Sequence, residues 1–162
     1  MRDLAELHMK PLRSKVFASI SDDLVASFEK LANHRLPKDY VAFLRQCNGG
    51  YTTFNEYVDM NGIRQEMNNF YGLGTQEADH ATHTLNTHAW DNNNLWGETR
   101  IMQTILGNRG IPFARDGGGN WLFLDYDAGP EPCVSQIICS TRNIVPVALS
   151  FGEFIDLLHP IV

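Results

Sequence analysis

The sequence predicts an α+β domain, a mainly antiparallel β-sheet with N-terminal helices and a C-terminal helix packed against it. Three observations predict it. Two stretches with helical spacing lie in the first 50 residues, strand-like runs rich in β-branched and aromatic residues fill the last third, and one capped helix follows them. A repeating βαβ chain would alternate the two kinds of element instead. The 162 residues suit one domain, 1–162, which buries roughly 70% of the surface its unfolded chain exposes.

The first helix begins after Ser21. "SDDLVASFEKLANHR" opens with an N-cap residue and two acids, then places Leu24, Phe28, Leu31 and Ala32 on one face. The second helix occupies "LPKDYVAFLRQCNGG". Pro37 suits its first position, Tyr40, Val41, Phe43, Leu44 and Cys47 form its apolar stripe, and Asn48, Gly49 and Gly50 end it because they tolerate positive φ. Beyond Gly50 the chain turns aromatic and amide-rich. "YTTFNEYVDM" and "NNFYGLG" are strand candidates with "MNG" as turn material, and residues 76–99, poor in aliphatics, read as a long surface loop holding at most a short helix.

Four further strands are expected in "IPFAR", "WLFLDYD", "VSQIIC" and "NIVPVAL". The last element is "SFGEFIDLLHP". Ser150 and Glu153 make a capping box, Phe151, Phe154, Ile155 and Leu158 recur at helical spacing, and Pro160 closes the helix.

The net charge of -6 is unevenly spread: residues 1–50 carry eight Lys and Arg against six acids, residues 51–100 two against seven, and residues 101–162 three against six. This balance argues against a nucleic-acid partner, which demands clustered cations, and favours a basic protein. No apolar run long enough for a signal peptide or membrane anchor opens the chain, and Cys47, Cys133 and Cys139 lack zinc-ligand spacing. Reduced thiols and a cytoplasmic address are the expectation.

"DGGGN", residues 116–120, resembles a phosphate cradle only superficially. Its glycines lead into a strand rather than a helix, and no Lys follows Lys38, so the expected role is a hairpin bend held by Asp116 with positive φ at Gly117 to Gly119. His80, His83 and His88 beside Asp79 are zinc-ligand types, but without HExxH they read as a polar loop rather than a metal-dependent hydrolase. Asp125 and Asp127 alternate onto one strand face, where they would bind a cation, present charge to a partner or guard an edge. No catalytic residues, cofactor or metal are expected.

"LPKDYVAFLRQCNGG", "IPFARDGGGNWLFLDYD" and "SFGEFIDLL" occur in an order that resembles the SUKH superfamily, over residues 20–159. The most specific matches are Leu36, Pro37, Tyr40, Asn48, Gly49, Gly50, Pro112, Asp116 and Gly119; residues 76–99 match nothing in the pattern and Asn120 replaces a common acid. The resemblance implies a non-catalytic α+β domain. It implies an immunity protein that binds and neutralises a cognate bacterial toxin, often a nuclease, or alternatively a regulatory scaffold like the fungal cell-wall-assembly regulators of the same superfamily.

An acidic binder would steer towards a basic toxin. From acid density and the enrichment of aromatics at interfaces, the expected contacts are Glu56, Asp59, Glu66, Asp125 and Asp127, with Tyr51, Tyr57 and Tyr126 as anchors.

Overall fold

The computed structural model describes residues 1–10, 19–74 and 94–160. Helix α1 spans Asp22–Ala32, and the Ser21 hydroxyl accepts the Leu24 N–H at 3.2 Å. Helix α2 spans Lys38–Gln46 and buries Tyr40, Phe43 and Leu44. Pro37 stands one position earlier than expected. It is the N-cap, with φ -59° and ψ 145°, because its ring fixes φ but leaves ψ free to stay extended.

Six strands follow: β1 Glu56–Val58, β2 Arg64–Phe70, β3 Gly110–Asp116, β4 Trp121–Asp125, β5 Cys133–Ile138 and β6 Asn143–Ala148. They form one sheet in chain order, each antiparallel to the next. The observed architecture is α+β, as the element order predicted. Helix α3, Leu95–Leu106, lies between β2 and β3, and helix α4, Phe151–Leu157, follows β6.

The loop expected over 76–99 is corrected at its end. Helix α3 already begins at Leu95, where the Asn94 side chain accepts the Trp96 N–H at 3.3 Å; residues 75–93, with His80, His83 and His88, lie outside the described residues. The amide run hid an N-cap, and the apolar stripe that defines the helix lies on both sides of Arg100.

Alternation along β4 shows why the sheet is covered twice. Leu122 and Leu124 join the main core beneath α2 and α4, whereas Phe123 between them packs on the opposite face with Met102 of α3 and Ile137. The main core is aromatic. Phe113 lies 5.2 Å from both Phe151 and Phe154, and Phe43 lies 4.6 Å from Phe70, contacts worth about 0.5–1.5 kcal/mol each beyond their area.

The segment after α2 docks that helix onto β2. Asn48 accepts the Leu73 N–H at 2.7 Å and donates to its carbonyl at 3.2 Å, while Gly50 and Phe70 exchange backbone bonds. At Gly49 a Cβ would sit 2.7 Å from the Gly72 nitrogen, so only glycine permits the approach.

The β1–β2 turn and the C-terminal segment make bonds across the ends of the sheet. The Met60 N–H reaches the Pro146 carbonyl at 3.3 Å, and Glu56 and His159 exchange bonds of 3.1 and 2.9 Å along the outer side of β1. The Glu56–His159 bridge covers part of the β1 edge, and β6 at the other edge carries Pro146, where a donor is dispensable.

Candidate partner-binding surface

Two hairpins of the sheet turn by one device. In the β3–β4 turn, Asp116 Oδ1 accepts the N–H groups of Gly118 and Asn120, both at 2.8 Å, and the Gly119 N–H reaches the Asp116 carbonyl at 3.3 Å. In the β1–β2 turn, Asp59 Oδ1 accepts from Asn61 at 2.9 Å and Ile63 at 3.0 Å, and the Gly62 N–H reaches the Asp59 carbonyl at 2.9 Å. The glycine three residues after each Asp is left-handed, φ 84° at Gly119 and 80° at Gly62. "DGGGN" and "DMNGI" are thus the same D-x-x-G turn.

The bend expected at "DGGGN" is present, but positive φ belongs to Gly119 alone and not to Gly117 or Gly118. Asp116 Oδ2 accepts from Asn120 Nδ2 at 2.7 Å and Gln136 Nε2 at 3.0 Å, so the whole carboxylate is spent on structure.

These geometries correct several expected contacts. Tyr57 is fully buried against Phe154, with ring centroids 5.5 Å apart, because alternation along β1 turns it inward. Burial, then the carboxylates of Asp116 and Asp59, push its phenol far up. It is a core residue. Asp59 is buried because it closes its own turn, and Glu56 lies beneath Arg64 at 3.5 Å and His159 at 3.6 Å.

Asp125 and Asp127 do not share an outward face. Asp125 is 3% exposed and is held by Arg109 through two bonds of 2.9 and 2.8 Å, while Asp127, beyond the strand, is exposed and 3.6 Å from the same guanidinium. Burial opposes the Asp125 charge, but bonds from Arg109, the Asp127 amide and Ser135 hold its carboxyl below the usual range. Tyr126 is also withdrawn from the surface. Its ring stacks on His34 at 4.0 Å and its hydroxyl donates to the Arg35 carbonyl at 2.7 Å.

Of the expected contacts, Glu66 and Asp127 remain exposed and Tyr51 is half-buried, its backbone paired with Lys10. In place of the buried groups the β1–β2 hairpin presents Val58, Met60 and Ile63, respectively 41%, 57% and 56% exposed. These residues were missed by weighing acids and tyrosines. The available signal was alternation: with Tyr57 inward, Val58 must face out, and the apolar residues bracket a D-x-x-G turn.

The residues of the resemblance are now placed. Leu36 and Tyr40 are in the core, Pro112 sits where the β3–β4 register shifts, Asn48 to Gly50 dock α2, and Asp116 and Gly119 make a turn. They build the frame of the domain. The model of the SMI1 / KNR4 family (SUKH-1) matches residues 19–157. The chain belongs to this family. No curated protein matches it. As a SUKH-1 domain it has the frame of that family, and no helix among its described residues is long and apolar enough to cross a membrane.

Proposed function

We propose that this SUKH-1 protein is an immunity protein, acting in the cytoplasm without catalysis, that binds and neutralises a cognate toxin whose domain is basic and nuclease-like. The observation that carries this reading is the β1–β2 hairpin. Three exposed apolar side chains, Val58, Met60 and Ile63, stand on a hairpin whose exposed charges are Arg64, opposite Val58, and Glu66, opposite Glu56, on a chain of net charge -6. An apolar centre with a charged rim is the anatomy of a protein interface, and excess acid speeds encounter with a basic partner.

The test is affinity capture of the tagged chain from its host with elution by rising salt and mass spectrometry, beside a Met60→Asp/Ile63→Asp variant. The expected result is the C-terminal part of a secreted toxin, retained by the parent chain and lost from the variant. Reproducible capture of housekeeping proteins would favour the scaffold role of the superfamily's fungal members. Toxin retained equally by the variant would remove the hairpin from the interface.

A further inference from the structure

The β1–β2 turn that carries Met60 and Ile63 also holds a pair of residues able to react with each other. An asparagine or aspartate followed by glycine can cyclise, because the glycine nitrogen, with no Cβ beside it, reaches the preceding side-chain carbonyl unhindered. The chain has such a pair three times, at Asn48–Gly49, Asn61–Gly62 and Asp116–Gly117. The fold treats them differently.

Two are held shut. The Asn48 carboxamide is tied to Leu73 by bonds of 2.7 and 3.2 Å, and Gly49 lies so close to Gly72 that a Cβ would sit 2.7 Å from its nitrogen. The Asp116 carboxylate is fixed by bonds from Gly118, Asn120 and Gln136, and an ionised carboxylate resists attack by a nucleophile. The third pair is open. Asn61 is exposed, its carboxamide makes no hydrogen bond among the described residues, and a Cβ at Gly62 would meet nothing within 4 Å. Only the Gly62 N–H is engaged, in its 2.9 Å bond to the Asp59 carbonyl. Residues 60–64 are all exposed, so opening this turn uncovers no core, and loop tips lie at the low end of local stability.

We propose that Asn61–Gly62 is a spontaneous deamidation site that silences the hairpin as the protein ages. When the turn opens, the Gly62 nitrogen attacks the side-chain carbonyl carbon of Asn61. A C–N bond forms, the Gly62 N–H proton passes to the amide nitrogen, which leaves as ammonia, and a five-membered succinimide remains. Water then breaks one of the two ring C–N bonds to the Gly62 nitrogen. The result is a carboxylate at position 61, with the main chain running either through the α-carbonyl or, as an isoaspartyl linkage, through the side-chain carbonyl; one water is consumed and one ammonia released.

Either product alters the turn. The new carboxylate stands beside Asp59, whose Oδ1 accepts the Asn61 and Ile63 N–H groups at 2.9 and 3.0 Å, and the like charges repel. The isoaspartyl linkage also adds a methylene to the main chain before Gly62, which displaces its N–H from the Asp59 carbonyl and moves Met60 relative to Ile63. The chemistry is independent of any partner. The silencing alone rests on the hairpin reading above.

The test is ageing of the folded chain at neutral pH and body temperature, followed by trypsin and fragmentation mass spectrometry. One tryptic peptide, residues 46–64, carries both Asn48 and Asn61, so each is the control for the other. Conversion of carboxamide to carboxylate at Asn61, mostly as the isoaspartyl form, is expected with Asn48 intact, and both should convert once urea unfolds the chain. Asp59→Ala, which removes the side-chain anchor of the turn, should speed conversion at Asn61 several-fold. An Asn61 that stays intact in the folded chain while converting in urea, or equal conversion at Asn48 and Asn61 in the folded chain, would overturn the site. The aged isoaspartyl fraction should release the toxin at lower salt than fresh protein. Equal release, for a toxin whose binding Met60→Asp/Ile63→Asp abolishes, would overturn the silencing. A toxin indifferent to that double variant would remove the hairpin reading, and the silencing with it, and leave the deamidation site standing.

Discussion

Asp125 illustrates how one carboxylate changes meaning when its neighbours are known. In the sequence it alternates with Asp127 as half of an acidic pair; in the fold Arg109, at the end of the short 3-10 turn Gly107–Arg109, clamps it through two bonds. The folded state lowers its pKa below the unfolded value of about 3.9, so its contribution is fully present above that value and is lost as pH falls through the depressed pKa. Asp125→Asn should cost about 2 kcal/mol at pH 7, less than a fully buried pair because Arg109 is 31% exposed. Urea unfolding from pH 7 to pH 2 should show the gap between parent and variant closing on the acid side. A gap independent of pH would mean that packing, not charge, carries the site.

At the scale of elements, the D-x-x-G turns separate required glycines from incidental ones. Gly119 has φ 84° whereas Gly117 does not enter the left-handed region, and a Cβ at Gly117 would meet nothing within 4 Å. Gly119→Ala should therefore cost about 1–2 kcal/mol and Gly117→Ala less than about 0.5 kcal/mol, read from urea midpoints at equal slope. Equal costs would refute the turn assignment. The same turns show what was legible. Periodicity and caps located α1, α2, β3 to β6 and α4, because each buries a stripe that its own sequence defines. Helix α3 was obscured because its N-cap, Asn94, closes a run of amides that reads as loop. The surface was less legible than the frame. Whether Tyr57, Asp59 or Asp125 faces water depends on Phe154, Ile63 and Arg109, which come from elsewhere in the chain or from a turn whose closure must be known first.

Over the whole molecule, the bridge between His159 and the outer side of β1 makes the hairpin depend on a segment far along the chain. The family match stops at residue 157, yet Leu158 is fully buried and His159 exchanges two backbone bonds with Glu56 at the outer side of β1. Burying a leucine contributes about 1.5–3 kcal/mol and each backbone bond about 0.5–1.5 kcal/mol, against a total stability of about 5–15 kcal/mol for a domain. A chain ending at Leu157 should thus lose about 3 kcal/mol, while Leu158→Ala alone should lose about 2 kcal/mol. Hydrogen exchange distinguishes the two contributions. The Glu56 amide, which donates to the His159 carbonyl, should exchange faster in the shortened chain even where Leu158→Ala leaves it protected. Because Val58, Met60 and Ile63 follow Glu56 on the same hairpin, the shortened chain should also bind its partner more weakly with no contact residue changed. Identical Glu56 exchange in the two variants would show that Leu158 packing alone seats β1, and would leave the terminal bridge without a part in presenting the hairpin.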